Sequence, residues 1–109
     1  MKWKHFRFGI RDEDFEFIRE RLEQILGIKM KGVTSDAYGG DLYTYESEDI
    51  TELLLFQNWN SHEQEWNIPK LEEFDILIEF ERRVETEAIE KKIGDDTILR
   101  AELLEESEY

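Results

Sequence analysis

Residues 74–81 read Phe-Asp-Ile-Leu-Ile-Glu-Phe-Glu, and every second residue of this stretch is Phe or Ile. A period of two is typical of a half-buried β-strand. Upstream, residues 51–58 contain the continuous apolar run Leu-Leu-Leu-Phe at 53–56, which favours a strand covered on both faces. The two segments predict that a β-sheet forms the centre of the protein.

More extended segments are predicted on both sides of this pair. Residues 4–10 alternate like a strand, and residues 28–34 and 42–46 flank a loop whose paired glycines, Gly39 and Gly40, permit positive φ. We therefore expect a hairpin there. Residues 97–104 are expected to be extended as well, and the acidic end, 105–109, to be frayed.

Two helices are predicted among the strands. Asp12 is a suitable N-cap for a helix that Gly27 ends, and apolar side chains recur between them at helical spacing. Thr86 begins a shorter helix that runs to residue 92 and is closed by Gly94. Runs of strands between helices predict an α+β fold of one domain, residues 1–109, with the order β-α-β-β-β-β-α-β. We expect a largely antiparallel sheet with both helices packed on one face.

Charge is distributed unevenly along the chain. Fourteen Lys and Arg face 28 Asp and Glu, a net charge of −14, and residues 33–81 hold one lysine against thirteen acidic residues. This balance disfavours direct binding to nucleic acid or to an anionic membrane, and it predicts a basic partner. The alternative is an ordinary solvated face, since acidic side chains commonly serve only solubility.

Residues that carry chemistry are sparse. There is no Cys, and His62 lacks the second histidine of a zinc-binding helix. Asp36 and Asp41 bracket two glycines without the ligand order of a calcium loop. His5, the other histidine, lies on a predicted strand. We therefore predict no metal, no cofactor and no enzymatic activity, and the absence of a long apolar run near the amino terminus predicts a cytoplasmic protein.

Three segments of the chain resemble a known family. They are residues 38–43, Tyr-Gly-Gly-Asp-Leu-Tyr, residues 53–58, Leu-Leu-Leu-Phe-Gln-Asn, and Trp66 followed by Phe-Asp-Ile-Leu-Ile at 74–78. They are similar to small immunity proteins of bacterial contact-dependent and polymorphic toxin systems, and the resemblance covers about residues 28–81. The resemblance implies a protein that binds and blocks a toxin domain, often a cationic nuclease. The positions that match the motif are Tyr38, Gly40, Asp41, Tyr43 and Asn58.

The long connection 59–73, which holds the only proline, is the expected functional segment. We predict that acidic side chains steer a basic toxin domain and that aromatic side chains bind it. The predicted contact residues are Asp36, Tyr38, Asp41, Tyr43, Tyr45, Asn58, Trp59, Glu63, Glu65 and Trp66. Two alternatives stay open: a ligand-binding or enzymatic domain with a pocket under the loop 59–69, and a homodimer that pairs through an exposed strand edge instead of a monomer.

Overall fold

The computed structural model describes residues 2–109, which form a six-stranded antiparallel sheet and a small two-stranded hairpin. The strands of the large sheet are arranged in the order β2-β3-β4-β7-β1-β8, and β5 pairs with β6 in the hairpin. Their bounds are β1 Trp3–Ile10, β2 Lys31–Ser35, β3 Gly40–Tyr45, β4 Ile50–Gln57, β5 Trp59–Asn60, β6 Glu65–Trp66, β7 Ile76–Arg83 and β8 Glu102–Glu108. The two segments that carry the strongest strand patterns, β4 and β7, are neighbours inside the sheet.

Helix α1 spans Phe15–Leu26 and α2 spans Ile89–Asp95, and short 3₁₀ turns lie at Asp36–Tyr38 and Pro69–Leu71. The N-cap of α1 is Asp14, two residues after the predicted Asp12, because the Asp14 carboxylate accepts the backbone N–H of Phe17. The predicted end is confirmed, since Gly27 has a left-handed φ of 65°. Helix α2 begins later than predicted and includes Gly94.

The sheet buries both of its faces. On one face, residues of α1 and α2 pack against alternate residues of β1, β4 and β7 in the main core. On the other face, a smaller apolar cluster of Leu42, Phe56, Phe74 and Leu77 is covered by the long connection between β4 and β7. The α+β class, the antiparallel sheet and the packing of both helices on one face are confirmed.

The carboxyl-terminal segment differs from the sequence-based expectation. Residues 102–108 form β8 and pair with β1, so residues 105–108 are not frayed. The reason is charge matching across the two strands: Glu105 lies 2.9 Å from Arg7 and Glu106 lies 3.9 Å from Lys4, both on β1. No helix within residues 2–109 is long and apolar enough to cross a membrane.

Candidate interaction surface at a tryptophan hairpin

The connection between β4 and β7 contains an ordered hairpin, residues 59–66, which we call the tryptophan hairpin. Trp59 and Trp66 are cross-strand partners, and their ring centroids lie 5.2 Å apart in an edge-on arrangement. The pair stiffens the hairpin, because edge-on aromatic pairs contribute about 0.5–1.5 kcal/mol beyond the area they bury. Trp59 remains 42% exposed, so a large aromatic surface is available to a partner.

Three asparagines fix the hairpin to the sheet. The side-chain amide of Asn58 donates to the carbonyl of Leu71 at 2.9 Å, and its oxygen accepts the N–H of Ile68 at 3.0 Å. The side-chain oxygen of Asn60 accepts the N–H of His62, and the side-chain amide of Asn67 donates to the carbonyl of Tyr38. The amide of Asn60 also donates to the side-chain oxygen of Asn67 at 3.1 Å. Buried polar groups that are fully hydrogen-bonded rigidify their surroundings. These asparagines therefore hold the hairpin in a fixed position on the sheet.

Asn58 is one of the predicted contact residues, but its side chain is not available to a partner. Its side chain is 0% exposed and is used entirely within the protein. A partner cannot reach it on the surface. In the motif that resembles the immunity family, Asn58 is a buried residue that anchors the connection between β4 and β7 through hydrogen bonds to its backbone, and it is not part of the candidate surface.

Gly39 supports the same hairpin from the neighbouring loop. Its φ is 80°, as the paired glycines predicted, and a Cβ at this position would lie 2.7 Å from Asn60 Cα and 2.3 Å from Asn60 Oδ1. A backbone atom cannot move aside as a flexible side chain can. Only glycine fits this contact.

We expect Gly39→Ala to destabilise the protein more than Gly27→Ala, the matched control. Gly27 has a similar φ of 65° but has no atom within 4 Å of its virtual Cβ. Backbone strain alone costs about 1–2 kcal/mol in the control, and overpacking against Asn60 adds about 1–3 kcal/mol at Gly39. Urea denaturation of the two variants measures the difference. Equal losses would show that the contact with Asn60 does not constrain the loop.

Two cavities lie beside Trp59. One, of about 320 Å³, is lined by Glu13, Gln57, Trp59, Trp66, Asp75 and Ile76. The other, of about 400 Å³, lies on the side of the 3₁₀ turn and includes Tyr38, Asp41, Trp59 and His62 in its lining. Tyr38 packs its ring 4.7 Å from Phe56, and burial raises its pKa. Trp59 is thus the shared wall between two concave surfaces.

The carboxylates around the hairpin are not neutralised by the chain itself. Within residues 2–109, no Lys or Arg lies within ion-pair distance of Glu13, Asp41, Glu63, Glu65 or Asp75. His62 lies beside Asp36, and its Nδ1 is 3.6 Å from the exposed carboxylate. Asp41 accepts a hydrogen bond from the Thr34 hydroxyl at 2.9 Å, which leaves its charge in place. The surface is both aromatic and anionic.

Other carboxylates of the acidic segment are neutralised. Glu79 lies 2.9 Å from Arg7, and Glu73 lies 3.0 Å from Arg11. The acidic turn at residues 46–49 lies at the opposite end of β4 from the tryptophan hairpin. The acidic segment 33–81 therefore does not form one surface, and the hairpin with its neighbours is one part of it that combines aromatic side chains with unneutralised carboxylates.

Tyr43 and Tyr45 are separated from the hairpin by the sheet. Alternate residues of β3 point to opposite faces, so both tyrosines pack against the main core while Leu42 joins the smaller cluster. Tyr43 donates its hydroxyl hydrogen bond to Glu16 of α1, which raises the pKa of Tyr43 and lowers that of Glu16. Tyr43 and Tyr45 therefore lie away from the candidate surface. The structure brings together seven of the other predicted contact residues, namely Asp36, Tyr38, Asp41, Trp59, Glu63, Glu65 and Trp66.

Sequence reasoning missed two carboxylates of this surface. Glu13 reads as an acidic first-turn residue of α1, and Asp75 reads as the polar face of a strand. They meet because β1 and β7 are neighbours: Ile10 pairs with Ile76, and the Asp75 N–H donates to the Ile10 carbonyl. No local signal marks this juxtaposition, which depends on strand order.

Ile68 of the loop 59–69 packs against the smaller apolar cluster, and the loop also lines the two cavities beside Trp59. Another cavity, of about 550 Å³, lies elsewhere and is lined by Arg11, Asp12, Phe17 and residues 97–100. Its exposed apolar side chains are Phe17 and Ile98. This cavity, between α1 and the segment that follows α2, is a further candidate for a ligand-binding pocket.

Within residues 2–109, no group of three or more His, Asp or Glu side chains is arranged to hold a metal ion. Comparison of the chain with protein families, with curated proteins and with solved structures finds no match.

Proposed function

We propose that this chain is an immunity protein, a non-enzymatic inhibitor that binds a basic toxin domain in the cytoplasm. The toxin is most simply a nuclease, whose cationic site for the phosphate backbone is complementary to an acidic surface. Binding there excludes the nucleic acid. Of the residues that resemble the immunity family, Tyr38, Asp41 and Trp66 line the candidate surface, whereas Tyr43 lies on the other face of the sheet.

One observation carries the proposal. Trp59 is exposed on a rigid hairpin, and the carboxylates beside it have no Lys or Arg partner within residues 2–109. Like charges that are held close together repel one another, so a surface of this kind is stabilised when a cationic molecule covers it. Tryptophan is among the residues most enriched in interface hot spots, so Trp59 is the expected anchor of such a contact.

Electrostatic attraction predicts a salt-sensitive association rate. We expect the double variant Asp41→Lys/Glu65→Lys to reduce the association rate by about tenfold or more at low salt, because it reverses charge beside the cationic partner. The matched control is Glu46→Lys/Glu48→Lys, which makes the same change in net charge at the other end of β4. Stopped-flow mixing at several salt concentrations measures both. Equal slowing by the two variants, or association that salt does not affect, would contradict the proposed surface.

The function itself is tested by rescue. The domain at the carboxy terminus of the large protein encoded immediately upstream is expressed with and without this chain. We expect growth arrest without it and normal growth with it, and purified chain is expected to block the domain's nuclease activity. An upstream gene without a toxic domain, or a toxic domain that the chain does not inhibit, would overturn the proposal.

The cavity lined by Arg11, Asp12, Phe17 and residues 97–100 supports a second candidate, a small ligand-binding domain. Its volume of about 550 Å³ falls in the range of small-molecule sites, and it combines exposed Phe17 and Ile98 with Arg100. Arg100 has a left-handed φ of 53° and no carboxylate partner within residues 2–109. An apolar carboxylic acid is the ligand class that fits this lining, and line broadening of the Phe17 amide on addition of octanoate tests it.

A further inference from the structure

The cavity between Trp59, Trp66 and the start of β7 has the composition of a binding site for one cationic side chain. It encloses about 320 Å³, and its lining combines two indole rings with Glu13 and Asp75 and with the amide of Gln57. We propose that this cavity receives an arginine side chain of the protein's partner. The inference rests on the proposed function and names the group that the surface recognises.

The aromatic walls favour a cation. Trp is the strongest cation–π partner among the side chains, because the face of its ring carries negative charge. Trp59 and Trp66 adjoin at an interplanar angle of 76°, so they form two different sides of one cavity. A guanidinium group is planar and weakly hydrated, and it stacks on aromatic faces more readily than an ammonium group does.

The carboxylates select the sign of the occupant's charge. Glu13 precedes α1 and Asp75 precedes β7, so two separate segments bring negative charge to the same cavity. No Lys or Arg lines the cavity. An anionic occupant would be repelled, and a neutral apolar occupant would remove the carboxylates from water without compensation. A guanidinium group has five N–H donors, which are enough to donate to both carboxylates and to the side-chain oxygen of Gln57.

A metal ion fits less well than an organic cation. Hard divalent cations require six or more oxygen ligands in a compact shell, and no group of three candidate ligand side chains is found within residues 2–109. The indole rings supply no oxygen ligands. The lining therefore favours a flat organic cation.

The test uses the indole N–H signals of the full-length chain. There are three tryptophans, and Trp3 lies at the opposite end of the sheet, where it pairs with Arg83. The ¹⁵N-labelled protein is titrated with a hexa-arginine peptide, with a hexa-citrulline peptide of the same shape without charge, and with a hexa-lysine peptide. We expect saturable shifts of the Trp59 and Trp66 indole signals with hexa-arginine, none with hexa-citrulline, and no shift of Trp3.

Paired variants locate the charges. Glu13→Gln/Asp75→Asn is expected to weaken hexa-arginine binding by about tenfold or more. Glu46→Gln/Glu48→Gln, which removes the same charge elsewhere, is expected to change it by less than about twofold, since those carboxylates lie more than a Debye length of about 8 Å away. Shifts that do not saturate, equal shifts at Trp3, equal weakening by both variants, or equal binding of hexa-lysine and hexa-arginine would each overturn the arginine site.

Failure of this inference is distinguishable from failure of the proposed function. If hexa-arginine leaves both indole signals unchanged while the chain still rescues cells from the toxin domain, the cavity is not the arginine site and the immunity function stands. If hexa-arginine binds as expected and rescue fails, the cavity is an arginine site in a protein of another function.

Discussion

Arg82→Ala is expected to lower the free energy of unfolding by about 3–5 kcal/mol, because it leaves a partly buried carboxylate without its partner. Arg82 is 4% exposed, and its guanidinium donates to both oxygens of Glu90, at 2.7 Å and 2.6 Å. The remaining guanidinium nitrogen donates to backbone carbonyls, among them the carbonyl of Thr86. The guanidinium group also lies over the Phe6 ring. The residue thus joins β7, α2 and the main core, and urea denaturation measures the loss.

The matched control is Arg11→Ala. Arg11 also binds two carboxylates, Glu73 and Glu102, but half of its side chain is exposed. Exposed ion pairs contribute about 0–1 kcal/mol, so the control is expected to lose little. Arg82→Met/Glu90→Leu, which replaces both charges with apolar groups, is expected to recover most of the stability. Equal losses at Arg11 and Arg82 would contradict the structural role of the buried pair.

The pair also predicts how stability depends on pH. Burial opposes the ionisation of Glu90, but the hydrogen bonds and the charge of Arg82, together with a backbone hydrogen bond and the charge of Lys4, outweigh it, so the pKa of Glu90 lies below its ordinary value. Below about pH 5 the unfolded chain therefore binds more protons than the folded chain does. The stability that ionised Glu90 contributes is lost as the pH falls through its folded-state pKa. We expect Glu90→Gln to be less stable at neutral pH and to show a shallower loss in acid.

Trp59→Ala is expected to weaken binding of the toxin domain by about 2 kcal/mol or more, which is about thirtyfold in the dissociation constant. The side chain is the shared wall of both cavities, so its removal opens each of them. Most of the effect is expected in the dissociation rate, since an aromatic contact forms after the charges have steered the encounter. Isothermal titration calorimetry and surface plasmon resonance measure the two quantities.

Tyr109→Ala is the control for loss of an exposed aromatic side chain. Tyr109 is more exposed than Trp59 and lies at the opposite end of the sheet, where its backbone pairs with Trp3. It is expected to leave binding unchanged. Trp59→Phe is expected to keep part of the affinity because it retains a ring. A Trp59→Ala variant that binds as tightly as the unmodified chain would exclude the hairpin as the contact surface.

The fold was predictable where one local pattern decides it. The alternation of residues 74–81 and the glycine stop of α1 at Gly27 each depend on neighbouring residues alone. The end of β8 was predicted to be frayed because three of its residues 105–108 are glutamates, and Arg7 and Lys4 on another strand make them suited to a sheet. Long-range charge matching of this kind has no signature within a short window.

The candidate site was predictable in its loop residues and not in its surroundings. Trp59, Trp66 and Asp41 are marked by type and by position in irregular segments. Tyr43 has the same composition signal, but the strand period places it on the helix side of the sheet. Asn58 resembles a polar contact residue and is instead a buried support. Burial and strand order decide these cases, and neither can be obtained from composition.

The central claim is that the tryptophan hairpin and the neighbouring 3₁₀ turn bind the basic domain. Hydrogen–deuterium exchange of this chain, free and saturated with that domain, tests the claim most directly. We expect slowed exchange in residues 36–41 and 59–66, with the outer edges of β2 and β8 unchanged. Protection confined to β2 or β8, with the hairpin exchanging as in the free chain, would contradict the account and indicate pairing through a strand edge.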